Sequence, residues 1–171
     1  MRRKPLGLTL VELLVVIAVV GILAAVAVPQ LATTVQSQAV ENQANMLAND
    51  LRQGRSEAMR RGAPVLLCAK NATANTCDTG TNWKNGWLMY ADVNGDGALA
   101  DAELIKVQDA LQSVGTASGS ATNNATTVRF QATGIVNESF KFSLSPASGT
   151  DVRYVCLAKS GRVKTQKEAC T

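Results

Sequence analysis

Followed through its apolar and polar positions, the chain changes character twice. From Leu8 to Val28 every residue is aliphatic, alanine or glycine apart from Thr9 and Glu12. As a helix rising about 1.5 Å per residue, such a run covers roughly 30 Å, the thickness of a bilayer's hydrocarbon core. Pro29 follows and removes a helical hydrogen bond, which predicts a kink there. Beyond it the pattern turns amphipathic. Val40, Ala44, Leu47, Leu51, Gly54 and Ala58 recur at spacings of three and four, one face of an α-helix. Arg60 and Arg61 suit the C-terminal end of that helix, and Gly62 with Pro64 stops it. The spacing therefore predicts one helix of about fifty residues. Its first half, 8–28, is an apolar anchor, and its second half, 29–61, is a spine whose stripe packs on a sheet.

After Pro64 the period shortens to that of strands. The β-prone runs are Val65–Cys68, Trp87–Tyr90, Leu104–Val107, Thr127–Phe130, Phe140–Phe142 and Val152–Leu157, separated by connections rich in Gly, Asn, Ser and Thr. Gly115–Thr127 is almost wholly small and polar and reads as a surface loop. No internal repeat is present. The fold class is α+β, with one long N-terminal helix packed on an antiparallel β-sheet and residues 62–171 as a β-rich globular domain.

Composition sharpens this picture at three points. The chain has 171 residues, which suffices for one globular domain with an anchor and no more. The formal net charge is +4, of which Arg2, Arg3 and Lys4 supply most, so the basic balance belongs to the N-terminus. Those three residues precede the apolar run and no basic cluster follows it. The positive-inside rule then places the N-terminus in the cytoplasm and the globular domain across the membrane. Histidine is absent, which excludes Ser-His-Asp and Cys-His nucleophiles and His-ligated metals. The cysteines, Cys68, Cys77, Cys156 and Cys170, form a near pair in each half and no C-x-x-C. In an oxidising compartment the pairing that closes the shortest loops is Cys68–Cys77 with Cys156–Cys170; in the cytosol all four are reduced, buried thiols.

A secretory signal peptide, cleaved near Ala24-Ala25-Val26-Ala27, and a plain signal anchor are two other readings of the N-terminus. Neither accounts for Glu12, because a carboxylate at the bilayer centre costs roughly 2.5–3.5 kcal/mol or more. The stretch Gly7-Leu8-Thr9-Leu10-Val11-Glu12-Leu13-Leu14-Val15-Val16-Ile17 resembles the class III leader junction of type IV prepilins and type II secretion pseudopilins. The resemblance implies that residues 1–7 are a leader cut after Gly7 by prepilin peptidase, which then N-methylates Leu8. Phenylalanine is the usual first mature residue, so Leu8 departs from the commonest form. Glu12 and Pro29 match the family's assembly glutamate and helix-kinking proline. Trp83, Gly86, Trp87, Asp92, Asn94 and Gly97 resemble the central segment of minor pilins and pseudopilins of the GspH/FimT type. The implied protein is a structural filament subunit in type IV pilus biogenesis or type II secretion. It is a single-pass protein of the bacterial inner membrane, with a periplasmic globular domain and other pilins or pseudopilins as partners. It is not an enzyme and requires no cofactor.

Two segments carry further chemistry. Asp92-Val93-Asn94-Gly95-Asp96-Gly97-Ala98-Leu99-Ala100-Asp101-Ala102-Glu103 fits the EF-hand loop pattern, in which Asp92, Asn94, Asp96, the Ala98 carbonyl and Glu103 would ligate calcium. A strand-like run precedes it where an EF-hand has a helix, and the same residues make a hairpin turn; both readings stand. The C-terminal segment holds Arg153, Lys159, Arg162, Lys164 and Lys167 against Asp151 and Glu168, whereas Cys77–Ala110 is acidic. Gly161-Arg162-Val163-Lys164 is similar to the Gly-Arg-x-Arg element of DNA-uptake pilins of the FimT type, with lysine for the second arginine. The alternative function is thus a DNA receptor in natural transformation, using these cations on phosphates. An ordinary solvated basic face is the competing explanation.

Overall fold

The computed structural model describes residues 9–121, 123 and 125–171, with the side chains of 26–32 outside the description. Gly7 and Leu8, the predicted cleavage and methylation positions, lie outside it, as does the Pro29 side chain. The chain divides into two compact units, Met1–Val35 and Gln36–Thr171.

Helix α1 is continuous over Leu10–Arg61. Its end follows from local chemistry. Gly62 adopts φ 66°, open to glycine at little cost, and its N–H reaches back to the Ala58 carbonyl at 3.0 Å. In the first unit the large apolar side chains from Leu10 to Leu23 are exposed on every side of the helix, as an element buried in lipid or among other helices requires. Among the described residues no helix is long and apolar enough to cross a membrane. In the second unit Val40, Ala44, Leu47, Leu51 and Ala58 are fully buried, so the predicted stripe is the face that packs.

Among the described residues the strands form two four-stranded antiparallel sheets, where the sequence pattern predicts one. Sheet 1 is ordered β3-β2-β1-β5, from β1 (Val65–Ala69), β2 (Trp87–Ala91), β3 (Leu104–Gln108) and β5 (Val128–Phe130). Sheet 2 is ordered β4-β6-β7-β8, from β4 (Val114–Ala121), β6 (Phe140–Pro146), β7 (Arg153–Leu157) and β8 (Val163–Gln166). Strand β4 occupies most of the segment read as a loop. Its Gly, Ala and Ser residues have weak strand preference of their own, and pairing with β6 from Val114↔Pro146 to Ala121↔Phe140 makes the strand. The smallness has a packing reason. A Cβ on Gly119 would stand 2.1 Å from the Phe142 ring and 3.0 Å from Trp83 Nε1. Trp83 lies edge-on to Phe142 with ring centroids 4.9 Å apart and donates from Nε1 to the Gly119 carbonyl at 3.2 Å.

One core joins the α1 stripe to the inner faces of both sheets, including Leu67, Trp87, Phe130, Phe142 and Leu157. A smaller cluster, Leu66, Cys68, Leu88 and Tyr90, lies on the other face of sheet 1 beneath Leu99 and Leu104. Both short-loop disulfides are formed, Cys68–Cys77 and Cys156–Cys170, with Cα separations of 5.5 and 5.7 Å.

Candidate functional site

Three places carry the predicted functional residues. The first is the start of α1. Thr9 is the N-cap and Glu12 the third helical residue, and the two satisfy each other reciprocally. The Glu12 N–H donates to Thr9 Oγ1 at 3.3 Å, while the Thr9 N–H and hydroxyl both donate to Glu12 Oε2, each at 3.3 Å. This is a capping box, and its carboxylate also lies favourably at the positive end of the helix dipole. Within one subunit the Glu12 carboxylate is thus already partnered by Thr9. These bonds are long and exposed, so they hold the carboxylate weakly and leave it open to exchange for a cation.

The second place is the loop 92–103. Asp92 is buried, and its Oδ1 accepts from the Gly97 N–H at 3.2 Å. Its Oδ2 pairs with the Arg129 guanidinium of β5 at 2.7 Å. Burial pushes the Asp92 carboxyl up, but the Gly97 hydrogen bond and Arg129 hold it below the usual range. Asn94 Oδ1 accepts from the Asp96 N–H at 3.0 Å, Asp96 Oδ1 from the Ala98 N–H at 2.7 Å, and Glu103 Oε1 from the Val93 N–H at 3.1 Å. Gly95 and Gly97 supply the positive φ angles that the turn needs. Most of the EF-hand oxygens are thus engaged by backbone amides, the Asn94 side chain or the Arg129 guanidinium, whereas Glu103 Oε2 is buried without a hydrogen-bond partner among the described residues. Among the described residues no group of three or more carboxylates could hold a metal ion. As arranged the donor set makes a turn, in which the Arg129 guanidinium neutralises the buried Asp92 carboxylate.

The third place is the basic C-terminal segment, which the structure splits. Arg153 is no surface cation. Its side chain is 7% exposed and pairs with Asp151 and, at 3.1 Å, with Glu41 of α1. Burial alone would lower its pKa, but the two carboxylates raise it above the ordinary value. A cation so enclosed is spent on docking β7 to the helix and is withdrawn from any nucleic-acid surface. Lys159 stands 3.7 Å from Glu138, and Lys167 lies beyond β8. Arg162 and Lys164 remain exposed and line one concavity of about 190 Å³, together with Lys141 of β6. Arg162 and Lys164, the two cations of the Gly-Arg-x-Lys run, do share this lining. Lys141 was missed because its place beside them depends on β6 pairing with β7.

Sequence reasoning also missed Asp50. It is buried on α1, accepting from Trp87 Nε1 at 2.9 Å and from Lys106 Nζ at 2.6 Å. The available signal was an acid falling on the apolar stripe, three residues after Leu47 and four before Gly54.

Against known proteins, the prokaryotic N-terminal methylation motif matches residues 2–28. The family model of the type II transport protein GspH matches residues 43–161, from mid-α1 to the turn before β8. No curated protein matches the chain. Two crystal forms of the type IV minor pilin FimU of Pseudomonas aeruginosa share its fold. One is 18% identical with a TM-score of 0.57, covering 77% of this chain and 92% of that one. The other is 20% identical with a TM-score of 0.56, covering 76% and 96%. The long helix, the two sheets and both family models together place this chain in the family of the type II transport protein GspH.

Proposed function

We infer that this chain is a minor pilin-like subunit of a filament of the type IV pilus or type II secretion class, acting by helix packing and subunit contacts. The observation that carries this reading is an apolar helix start, exposed on every side, that bears a single carboxylate at Glu12, within a segment matched by the methylation motif. Proteins of this kind are anchored in the inner membrane and are structural subunits. Arg2, Arg3 and Lys4 ahead of the apolar run support a cytoplasmic N-terminus, and the two disulfides support a periplasmic globular domain.

Cleavage after Gly7 creates an α-ammonium on Leu8. In an assembling filament the Glu12 carboxylate leaves its weak bonds to Thr9 and pairs with the Leu8 ammonium of a neighbouring subunit. In surroundings of low dielectric the charged pair outweighs hydrogen bonds to a neutral hydroxyl, and either charge left alone is costly. Glu12→Ala should be cleaved normally but fail to enter filaments, as read by N-terminal mass spectrometry and by sheared-filament immunoblots. Normal incorporation of that variant would refute the pairing.

A further inference from the structure

We propose that the outer face of sheet 2 is a docking surface for a second copy of this chain, receiving the acidic loop Asp96–Asp101 in the concavity formed by Lys141, Arg162 and Lys164. The inference extends the filament-subunit reading and rests on it. Register builds the surface. Ser120, Lys141, Cys156 and Lys164 are consecutive partners across β4, β6, β7 and β8, and Ser118, Ser143, Tyr154 and Gln166 form the next rung. Alternation turns Phe140, Phe142, Val155 and Leu157 into the core, so these two rungs face away from it.

Neither rung holds an acid, and no Asp or Glu lines the concavity. Among the described residues no carboxylate lies within ion-pair distance of Lys141, Arg162 or Lys164. The Cys156–Cys170 bridge holds the C-terminal tail against this row, and Lys141 Nζ donates to the Cys170 carbonyl at 2.8 Å. Lys141 is therefore positioned, and among the described residues no acidic side chain faces the three cations.

The complementary surface lies on the same molecule. The loop over the outer face of sheet 1 presents Asp96 and Asp101, both exposed and, among the described residues, outside every ion pair. Beside them Val93 is 69% exposed, an apolar side chain that an interface would cover. Two different patches that attract each other make a heterologous contact, and such contacts generate open helical arrays when the rotation does not close. That is the geometry a filament needs, and opposite charges would fix its register.

The test uses full-length mature protein in detergent micelles, treated with a zero-length carbodiimide that joins carboxylates to amines in contact. The expected result is intermolecular links from Lys141 or Lys164 to Asp96 or Asp101, identified by mass spectrometry and suppressed by salt. The Lys141→Glu/Lys164→Glu pair and the Asp96→Lys/Asp101→Lys pair should each reduce cross-linking about tenfold, and mixing the two variants should restore it. All four positions are exposed, and circular dichroism checks that both variants fold. Absence of these links in the wild type, indifference to reversal, or failure of the mixture to recover would each overturn the proposal. Binding of short duplex DNA that depends on Lys141 and Lys164, without self-cross-linking, would overturn it in favour of a polyanion ligand. Because the readout is taken in detergent, its failure is distinct from a failure of Glu12→Ala to block filament entry.

Discussion

Replacing Asp50 isolates what fastens the helix to sheet 1. Its carboxylate is 5% exposed and joins Trp87 of β2 to Lys106 of β3, whose side chain is 34% exposed. In Asp50→Ala the buried Trp87 N–H loses its acceptor, which costs about 1–3 kcal/mol. Lys106 can turn into water, so its loss adds only about 1 kcal/mol, as for a surface pair. The sum, about 2–4 kcal/mol, falls at or below the roughly 3–5 kcal/mol of breaking a fully buried pair. For a domain of this size it lowers the melting temperature by roughly 6–12 °C. Lys106→Met is the sharper perturbation, since it leaves a buried carboxylate with only a neutral donor, and it should cost at least as much. The double variant should be less destabilised than the sum of the two by about 1 kcal/mol or more. Circular dichroism melts of the full-length protein in detergent measure all three. If Asp50→Ala melts within about 2 °C of the wild type, the bridge is energetically idle and the reasoning is refuted.

The Asp92 carboxyl, held below its ordinary range in the folded state, stabilises the fold above its unfolded pKa near about 3.9. That contribution disappears as pH falls through the lower folded value. Stability should hold from neutrality to about pH 5 and decline below about pH 4. Arg129→Ala should move the acid unfolding midpoint upward; an unmoved midpoint would show that the pair contributes nothing. Millimolar calcium should leave the melting temperature of the wild type unchanged, because Arg129 already neutralises Asp92, and a clear rise would overturn the turn assignment. Gly119→Val, which drives a side chain into Phe142 and Trp83, should destabilise by about 1–3 kcal/mol or more, read by urea unfolding. A wild-type midpoint would show that β4 has slack against the core.

What could be read without coordinates was whatever local chemistry decides. The helix end at Arg61 follows from Gly62 and Pro64, and the buried stripe from Val40 to Ala58 follows from a period close to 3.6. The disulfide partners follow from loop length, given an oxidising compartment. Within loop 92–103, side chains bonding amides two residues on are also a local matter. The division into two sheets was not legible, because β4 is built largely of Gly, Ala and Ser, which have little strand preference, and becomes a strand against β6. Nor was the fate of the charges. Arg153 finds Glu41, 112 residues away in the chain, and Asp50 finds Lys106 across 56, so one basic residue is buried and one acid becomes a fastener. Hydrophobic period and turn chemistry act between near neighbours and are written along the chain. Charge pairing and strand partnership act through space, and only the folded arrangement decides which cations share one concavity, here Lys141, Arg162 and Lys164.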